Sequence, residues 1–336
     1  MTDKATTGTY PSNVAVIGAG YWGINHVRNL YEMGALSLVC DPDETMLERV
    51  RARFGGVRTQ ADVGSALADP DIKAIVLATP AETHGELAAR AILAGKDVLV
   101  EKPLTLDVDQ GRQLVQLADE RGAILMVGHL LEYHPAVLRL RELIRSGELG
   151  ELRYIYSNRL NLGRVRREEN ILWSFAPHDI AIILRLVDAW PTYVTATGGC
   201  YLRPQIADVT ITTIEFPNGV RGHIFVSWLH PYKEQRLVVV GSKRMAVFDD
   251  VREDSKLIIY DQGVEIVDDE PVTRKNEGIA EELEREEPLR RQCIQFLESI
   301  RTRQRPLTDG ESGLRVLRVL DAAEKSLAEG GKPVSL

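Results

Sequence analysis

The sequence predicts a doubly wound α/β domain on a parallel sheet, followed by an α+β domain with a large, mainly antiparallel, open-faced sheet. Two rhythms predict it. From residue 13 to about 130, short apolar runs alternate with stretches of helical spacing; after about residue 150, segments rich in β-branched and aromatic residues follow one another between turn signals. A length of 336 residues also exceeds what one hydrophobic core usually serves.

The polar start, MTDKATTGTYPSN, lacks the apolar core of a signal peptide, and residues 1–12 read as a disordered arm. The parallel strands follow in NVAVIGAG, LSLVCDPD, DIKAIVLATP, KDVLVEKPL and AILMVGH. Runs such as VAVI, AIVLA and VLV are apolar on both faces, which suits strands covered by helices on either side. Between them, GELAARAILAGK and DQGRQLVQLADERG carry helical spacing with a glycine near the end. In the second half, Pro217-Asn218-Gly219 joins two strands, and VTITTIEF alternates in polarity so that one sheet face stays available to another subunit. The last helix, LRVLRVLDAAEKSL, is given a capping-box start at Thr308 and Glu311. The resulting division is a dinucleotide-binding domain over 13–130, a substrate and oligomerisation domain over 131–305, and a C-terminal helix and tail over 306–336.

Composition narrows the function. With 44% apolar and 27% charged residues and no run long enough to span a bilayer, the expectation is a cytoplasmic protein without a membrane partner. A net charge of -8 disfavours nucleic acid. Three scattered cysteines suggest no disulfide framework, and seven histidines without HxxxH or HExxH spacing suggest no metal site.

The first strand runs into Gly18-Ala19-Gly20-Tyr21-Trp22-Gly23, a GxGxxG between strand and helix. Glycines serve the tight turn, the close approach of a pyrophosphate and the helix–strand contact, which marks the turn, with Tyr21 and Trp22, as a dinucleotide site. Asp41 ends the second strand some twenty residues on. A carboxylate there accepts hydrogen bonds from a ribose diol and repels a 2'-phosphate, which favours NAD over NADP; its alternative role is to hold the turn with Pro42 and Asp43. Thr79 and Pro80 close the strand AIVLA at the same sheet edge, with His84 just beyond. They are candidates for the nicotinamide end, and helix initiation is the competing role for Thr79, as a structural one is for His84.

VLVEKPL then delivers Glu101, Lys102 and Pro103 at the end of a buried strand, where charge and a missing N–H are both costly. Hydride transfer from a secondary alcohol needs a base for the hydroxyl proton, and a partly buried lysine beside the cofactor can serve.

GAGYWG, LATPAETH and VLVEKPL, with a β-rich second half, resemble the Gfo/Idh/MocA family of oxidoreductases along nearly the whole chain. The resemblance implies that Glu101-Lys102-Pro103 is the catalytic strand end, with Glu101 near the cofactor and Lys102 in the active site. It also implies a catalytic histidine on the helix entering the second domain, preceded four residues earlier by an aspartate. In LWSFAPHDIAIILRLV the histidine is His178, but the earlier position is Ser174. Both lie on one helical face, and Asp179 points elsewhere, to bind substrate or cap the helix. Lys102 and His178 are therefore the expected catalytic pair.

For the substrate, Asn158, Arg159, Asn161 and Arg164 form a polar, basic group suited to a carboxylate or diphosphate, while Arg166 and Arg167 are expected to pair with Glu168 and Glu169. Tyr133, before the helix that follows the sixth strand, is a further lining candidate. Within the family, SNRLNLGRVR, LWSFAPHD and RPLTDGESGLRVLRVLDAA look most like UDP-N-acetylglucosaminuronate 3-dehydrogenases, so the expected partner is a nucleotide sugar oxidised at C3. Free sugars or inositols, and a non-catalytic dinucleotide sensor, are the alternatives. A homo-oligomer, dimer or tetramer, is expected through the second sheet.

Overall fold

The computed structural model describes residues 10–163, 165–167 and 169–336. The chain forms two compact units: the described residues up to Leu130 with Glu287–Leu317, and Leu131–Glu286 with Arg318–Leu336.

The first unit begins with β1 (Val14–Ile17), α1 (Gly23–Glu32), β2 (Leu36–Cys40), α2 (Glu44–Arg53), β3 (Arg58–Gln60) and α3 (Val63–Ala68). It continues through β4 (Ala74–Leu77), α4 (His84–Leu93), β5 (Asp97–Val100), α5 (Val108–Arg121) and β6 (Leu125–Val127). All neighbours are parallel, in the order β3-β2-β1-β4-β5-β6. β1, β4 and β5 are buried at every position, which is why their sequences are apolar without alternation. The order reverses between β1 and β4. Their carboxyl ends therefore open the crevice at which such sheets bind ligands.

The second unit contains α6 (Pro135–Arg145), β7 (Leu152–Leu162), α7 (Ile171–Val187), β8 (Tyr193–Gly199), β9 (Val209–Glu215) and β10 (Arg221–Ser227). β11 (Leu229–Gly241), β12 (Met245–Asp249), β13 (Leu257–Tyr260), the hairpin β14 (Gly263–Val267) and β15 (Glu270–Arg274), and β16 (Gly278–Ala280) follow. Then come α8 (Pro288–Thr302), which belongs to the first unit, α9 (Gly310–Ala328), which runs from the first into the second, and β17 (Val334–Ser335). Nine strands form one sheet in the order β16-β13-β12-β11-β7-β10-β9-β8-β17. All its pairs are antiparallel except β7 with β10.

One face of this sheet carries Ile155, Val194, Ala196, Ile214, Ile224, Val226, Val239 and Phe248, all buried, with α7 packed on β7, β9 and β10. The other face carries Tyr154, Tyr193 and Ile211, which remain exposed. VTITTIEF does not sort between the faces by polarity: Thr210, Thr212 and Ile214 lie on the covered side and Ile211 on the open one.

Two features depart from the expected organisation. Most of the expected arm, residues 1–9, lies outside the described residues, but beyond it Tyr10 donates to Glu298 Oε1 (3.0 Å) and Ser12 to the Leu36 carbonyl (2.9 Å). Residues 287–305, expected with the second domain, group with the first, because the apolar face of α8 (Leu289, Cys293, Phe296, Leu297) is buried in the unit where α8 meets α1. At the start of the last helix the Thr308 hydroxyl donates to the Val127 carbonyl (2.7 Å), and Asp309 accepts from the Ser312 N–H (2.9 Å). Among the described residues no helix is long and apolar enough to cross a membrane.

Ile155→Ala, on the helix-covered face of β7, is expected to cost about 2–5 kcal/mol through lost transfer energy and the cavity left behind. Urea denaturation followed by circular dichroism measures it; an unchanged midpoint would mean that this face is not packed.

Candidate active site

The glycine turn is built so tightly that two of its positions admit no other residue. A Cβ on Gly18, whose φ is +90°, would lie 2.6 Å from the Ala78 carbonyl oxygen, and one on Gly23 would lie 2.0 Å from the Gly18 oxygen. At Gly20 the position a Cβ would take has nothing within 4 Å, so the backbone there is open to a ligand. α1 begins directly after this turn without a side-chain cap; its Ile24 and Asn25 N–H groups go to the Gly20 (3.2 Å) and Trp22 (2.9 Å) carbonyls, so what the helix offers an anion is the positive end of its dipole. Tyr21 is 92% exposed beside it. This cradle fits the pyrophosphate of a dinucleotide.

Asp41 faces the same turn. Its Oδ2 accepts from the Ala19 N–H (2.7 Å) and its Oδ1 from the Asp43 N–H (2.9 Å). The second bond is the turn-holding role, and the first ties the end of β2 to the glycine loop. With two lone-pair positions to spare, an ionised carboxylate so fixed can still accept from a ribose diol.

The other candidates of this unit gather at the same sheet edge. The Thr79 hydroxyl shares a hydrogen bond with that of Thr83 (2.7 Å), and the Pro80 carbonyl accepts from the Thr83 N–H (3.0 Å), so Thr79-Pro80 does initiate a helical turn. His84 is buried, with Nδ1 2.7 Å from the Pro103 carbonyl and Nε2 3.0 Å from the Thr79 carbonyl. It thus bridges the loop after β4 to the loop after β5, and both ring nitrogens are engaged within the protein.

Lys102 follows β5 directly, in a loop whose Lys102-Pro103 bond is cis. Glu101 is buried before it. Its Oε1 accepts from the Trp22 indole N–H (2.8 Å) and faces His26 Nε2 (2.7 Å), and its Oε2 accepts from the Lys102 N–H (3.3 Å). Gly128 makes room for the carboxylate, since a Cβ there would sit 2.7 Å from Oε2. Burial alone would raise the Glu101 carboxyl, but the His26 bond and charge, the Trp22 indole and nearby Lys102 hold it below the usual range. Burial alone would likewise lower His26; its contacts with Cys293 and Glu101 outweigh that and raise it to about 10. The two form a buried ion pair under the strand end. Neither His26 nor Gly128 was anticipated from the sequence, although His26 sits three residues after Gly23 on the turn's own helix.

In the second unit, α7 carries Ser174 and His178 one turn apart, with Ser174 buried and His178 partly exposed. Asp179 is buried on the sheet side. It accepts from Arg159 Nε (2.8 Å) and Nη2 (3.2 Å) and from the Ser157 hydroxyl (2.6 Å). The guanidinium fork expected to receive a substrate anion is therefore occupied by Asp179. Asn158 is on the opposite sheet face, as alternation along β7 requires, and donates to Glu234 Oε1 (2.9 Å). Asn161 is partly buried further along β7, Arg164 lies outside the described residues, and Tyr133 is buried before α6. Arg166 pairs with Glu169 (3.5 Å), as expected of a solvated loop.

Two family models match this chain: "Oxidoreductase family, NAD-binding Rossmann fold" over residues 12–129, and "GFO/IDH/MocA C-terminal domain" over residues 137–247. The chain belongs to the Gfo/Idh/MocA family. It is an oxidoreductase whose first unit is an NAD-binding Rossmann fold. Among its relatives, scyllo-inositol 2-dehydrogenase (NAD(+)) of Bacillus subtilis is 29% identical, with 96% of this chain and 95% of the relative covered. UDP-N-acetylglucosamine 3-dehydrogenase of Acidithiobacillus ferrooxidans is also 29% identical, covering 90% and 93%. The solved structure of GenD2 from gentamicin A biosynthesis in complex with NAD superimposes with a TM-score of 0.84 at 25% identity, covering 100% of this chain and 99% of that one.

The ion pair gives the stability a pH signature. His26 titrates higher folded than at its ordinary 6.5, so the stability it contributes is complete below about pH 6.5 and is lost as pH climbs through about 10. Glu101, lowered on folding, contributes above the ordinary carboxylate range and loses its share as pH falls. Thermal unfolding of the native chain and of His26→Leu is expected to differ most near pH 6 and to converge by about pH 10; a gap independent of pH would show that the pair is not ionised.

Proposed function

We propose that this oxidoreductase is an NAD-dependent dehydrogenase of a ring secondary alcohol, most readily C3 of a UDP-linked N-acetylated sugar or uronate. The observation that carries the reading is the placement of Lys102 at the carboxyl edge shared by the glycine turn, Asp41 and Thr79. A nicotinamide bound along that edge supplies the hydride acceptor, or the donor in reverse. Lys102 takes the hydroxyl proton during oxidation and returns it during reduction. His178, on α7 of the second unit, is the second catalytic group in this reading, a histidine able to hold and polarise a substrate hydroxyl. The glycine turn and Asp41 hold the dinucleotide, with Asp41 selecting NAD by accepting from the ribose diol.

The Arg159–Asp179 pair favours a second reading, a free cyclitol or sugar, since that guanidinium already has a carboxylate partner. Relatives named for inositol and for a UDP-sugar support the two readings equally by identity.

Turnover against UDP-sugars, free sugars and inositols, with NAD and with NADP, separates them. Lys102→Ala is expected to lower kcat/KM by roughly 10²–10⁴-fold on whichever substrate is used, as removal of an acid–base group does. Asp41→Ser is expected to raise the KM for NAD by about tenfold, a loss on the order of one hydrogen bond to a charged group, and to leave that for NADP nearly unchanged. Equal turnover by native and Lys102→Ala proteins would remove the proposed role.

A second copy of the chain on the exposed sheet face completes the reading. Light scattering is expected to give a dimer or tetramer, and Ile211→Lys, which places a charge at the centre of that face, is expected to shift it towards monomer.

A further inference from the structure

One buried group beneath Lys102 has no part in the proton transfer just described. His26 is fully buried, with Nε2 2.7 Å from Glu101 Oε1 and Nδ1 3.9 Å from Cys293 Sγ. The same Glu101 oxygen accepts from the indole of Trp22, a residue of the glycine turn, and the other oxygen accepts from the backbone N–H of Lys102. These side chains come from α1 and its start, from the end of β5 and from α8, three places far apart in sequence. One carboxylate thus pins the cofactor turn to the strand end that carries the amine.

A carboxylate in that position has two costs. Buried without a counter-charge it would take up a proton and lose its grip on one donor, and ionised without one it would tighten the hold of the neighbouring amine on its proton. An imidazolium at residue 26 answers both.

We propose that His26 is a positioning residue for Lys102: as a buried imidazolium it clamps the Glu101 carboxylate against the Trp22 indole and offsets its charge beside the amine. This rests on the reading of Lys102 as the proton-transfer group. The groups facing His26 are Glu101 from the end of β5 and Cys293 from α8, with Lys102 beyond the carboxylate and the Trp22 ring edge-on at 6.5 Å. The raised basicity of His26 agrees with this arrangement.

Imidazole nitrogen-15 NMR of the cofactor-free chain tests the charge directly, with His26 assigned by loss of its signals in His26→Gln. Both ring nitrogens are expected to carry protons at neutral pH in the native protein, and Glu101→Gln is expected to release a neutral ring. In turnover, His26→Gln is expected to lower kcat by roughly 10–100-fold, the scale of a small misplacement of a reacting group, with KM for the alcohol within about twofold and the pH profile of kcat displaced. A neutral native His26 overturns the proposal, as does a His26→Gln enzyme with native kcat and pH profile. Should His26→Gln fail to fold, the ring whose signals move in Glu101→Gln identifies His26, and the native and Glu101→Gln spectra decide. Lys102→Ala, run in parallel, keeps the two ideas apart: if it retains activity, the acid–base reading falls. If it is inactive while His26→Gln behaves as native, only the role of His26 falls.

Discussion

A carboxylate buried at the end of a parallel strand must be matched by donors and by positive charge, and that requirement at Glu101 organises the first unit. It is met by an indole from the glycine turn, an imidazole from the helix behind it and the amide of the next residue. Withdrawing the imidazole would leave the buried carboxylate without its counter-charge, a loss of several kcal/mol for a buried pair. Gly128 is part of the same arrangement, because any side chain there would occupy the place of the carboxylate. The glycine turn and the strand end that carries Lys102 are tied together by this contact.

The parallel sheet supplies the frame. Six parallel strands set their carboxyl ends along one edge, and the main-chain bonds from Gly18 to Cys40, Ala78 to Ile17 and Glu101 to Leu77 link successive loops there. Asp41 and His84 add side-chain ties, the first between the ends of β1 and β2, the second between the loops after β4 and β5. Side chains on these loops are therefore fixed by rigid strands, which keeps the glycine turn and Lys102 at constant separation.

The second unit solves a different problem. Its nine-stranded sheet buries one face under α7, and a charged residue on that face needs a counter-charge there. Arg159 finds it at Asp179, which also accepts from Ser157, in a fork that fixes the helix against β7. The position one turn before His178 carries Ser174, so the helix presents a hydroxyl where the family places a carboxylate.

Composition and periodicity alone determined the two kinds of sheet, because burial on both faces and burial on one leave different patterns in the chain. The GxGxxG turn and Asp41 stood out by local spacing next to a strand, whereas the weight given to the Glu101-Lys102-Pro103 strand end came from the family resemblance. Long-range partnership was not legible. Nothing in the order of residues says that α8 returns to α1, that Cys293 meets His26, or that Arg159 is taken by Asp179, because such pairs are chosen by three-dimensional packing between segments far apart in the chain. For the same reason Asn158 and Arg159, adjacent in a basic stretch, went to opposite faces of β7: pleating separates neighbours, and only the folded sheet decides which of the two is buried.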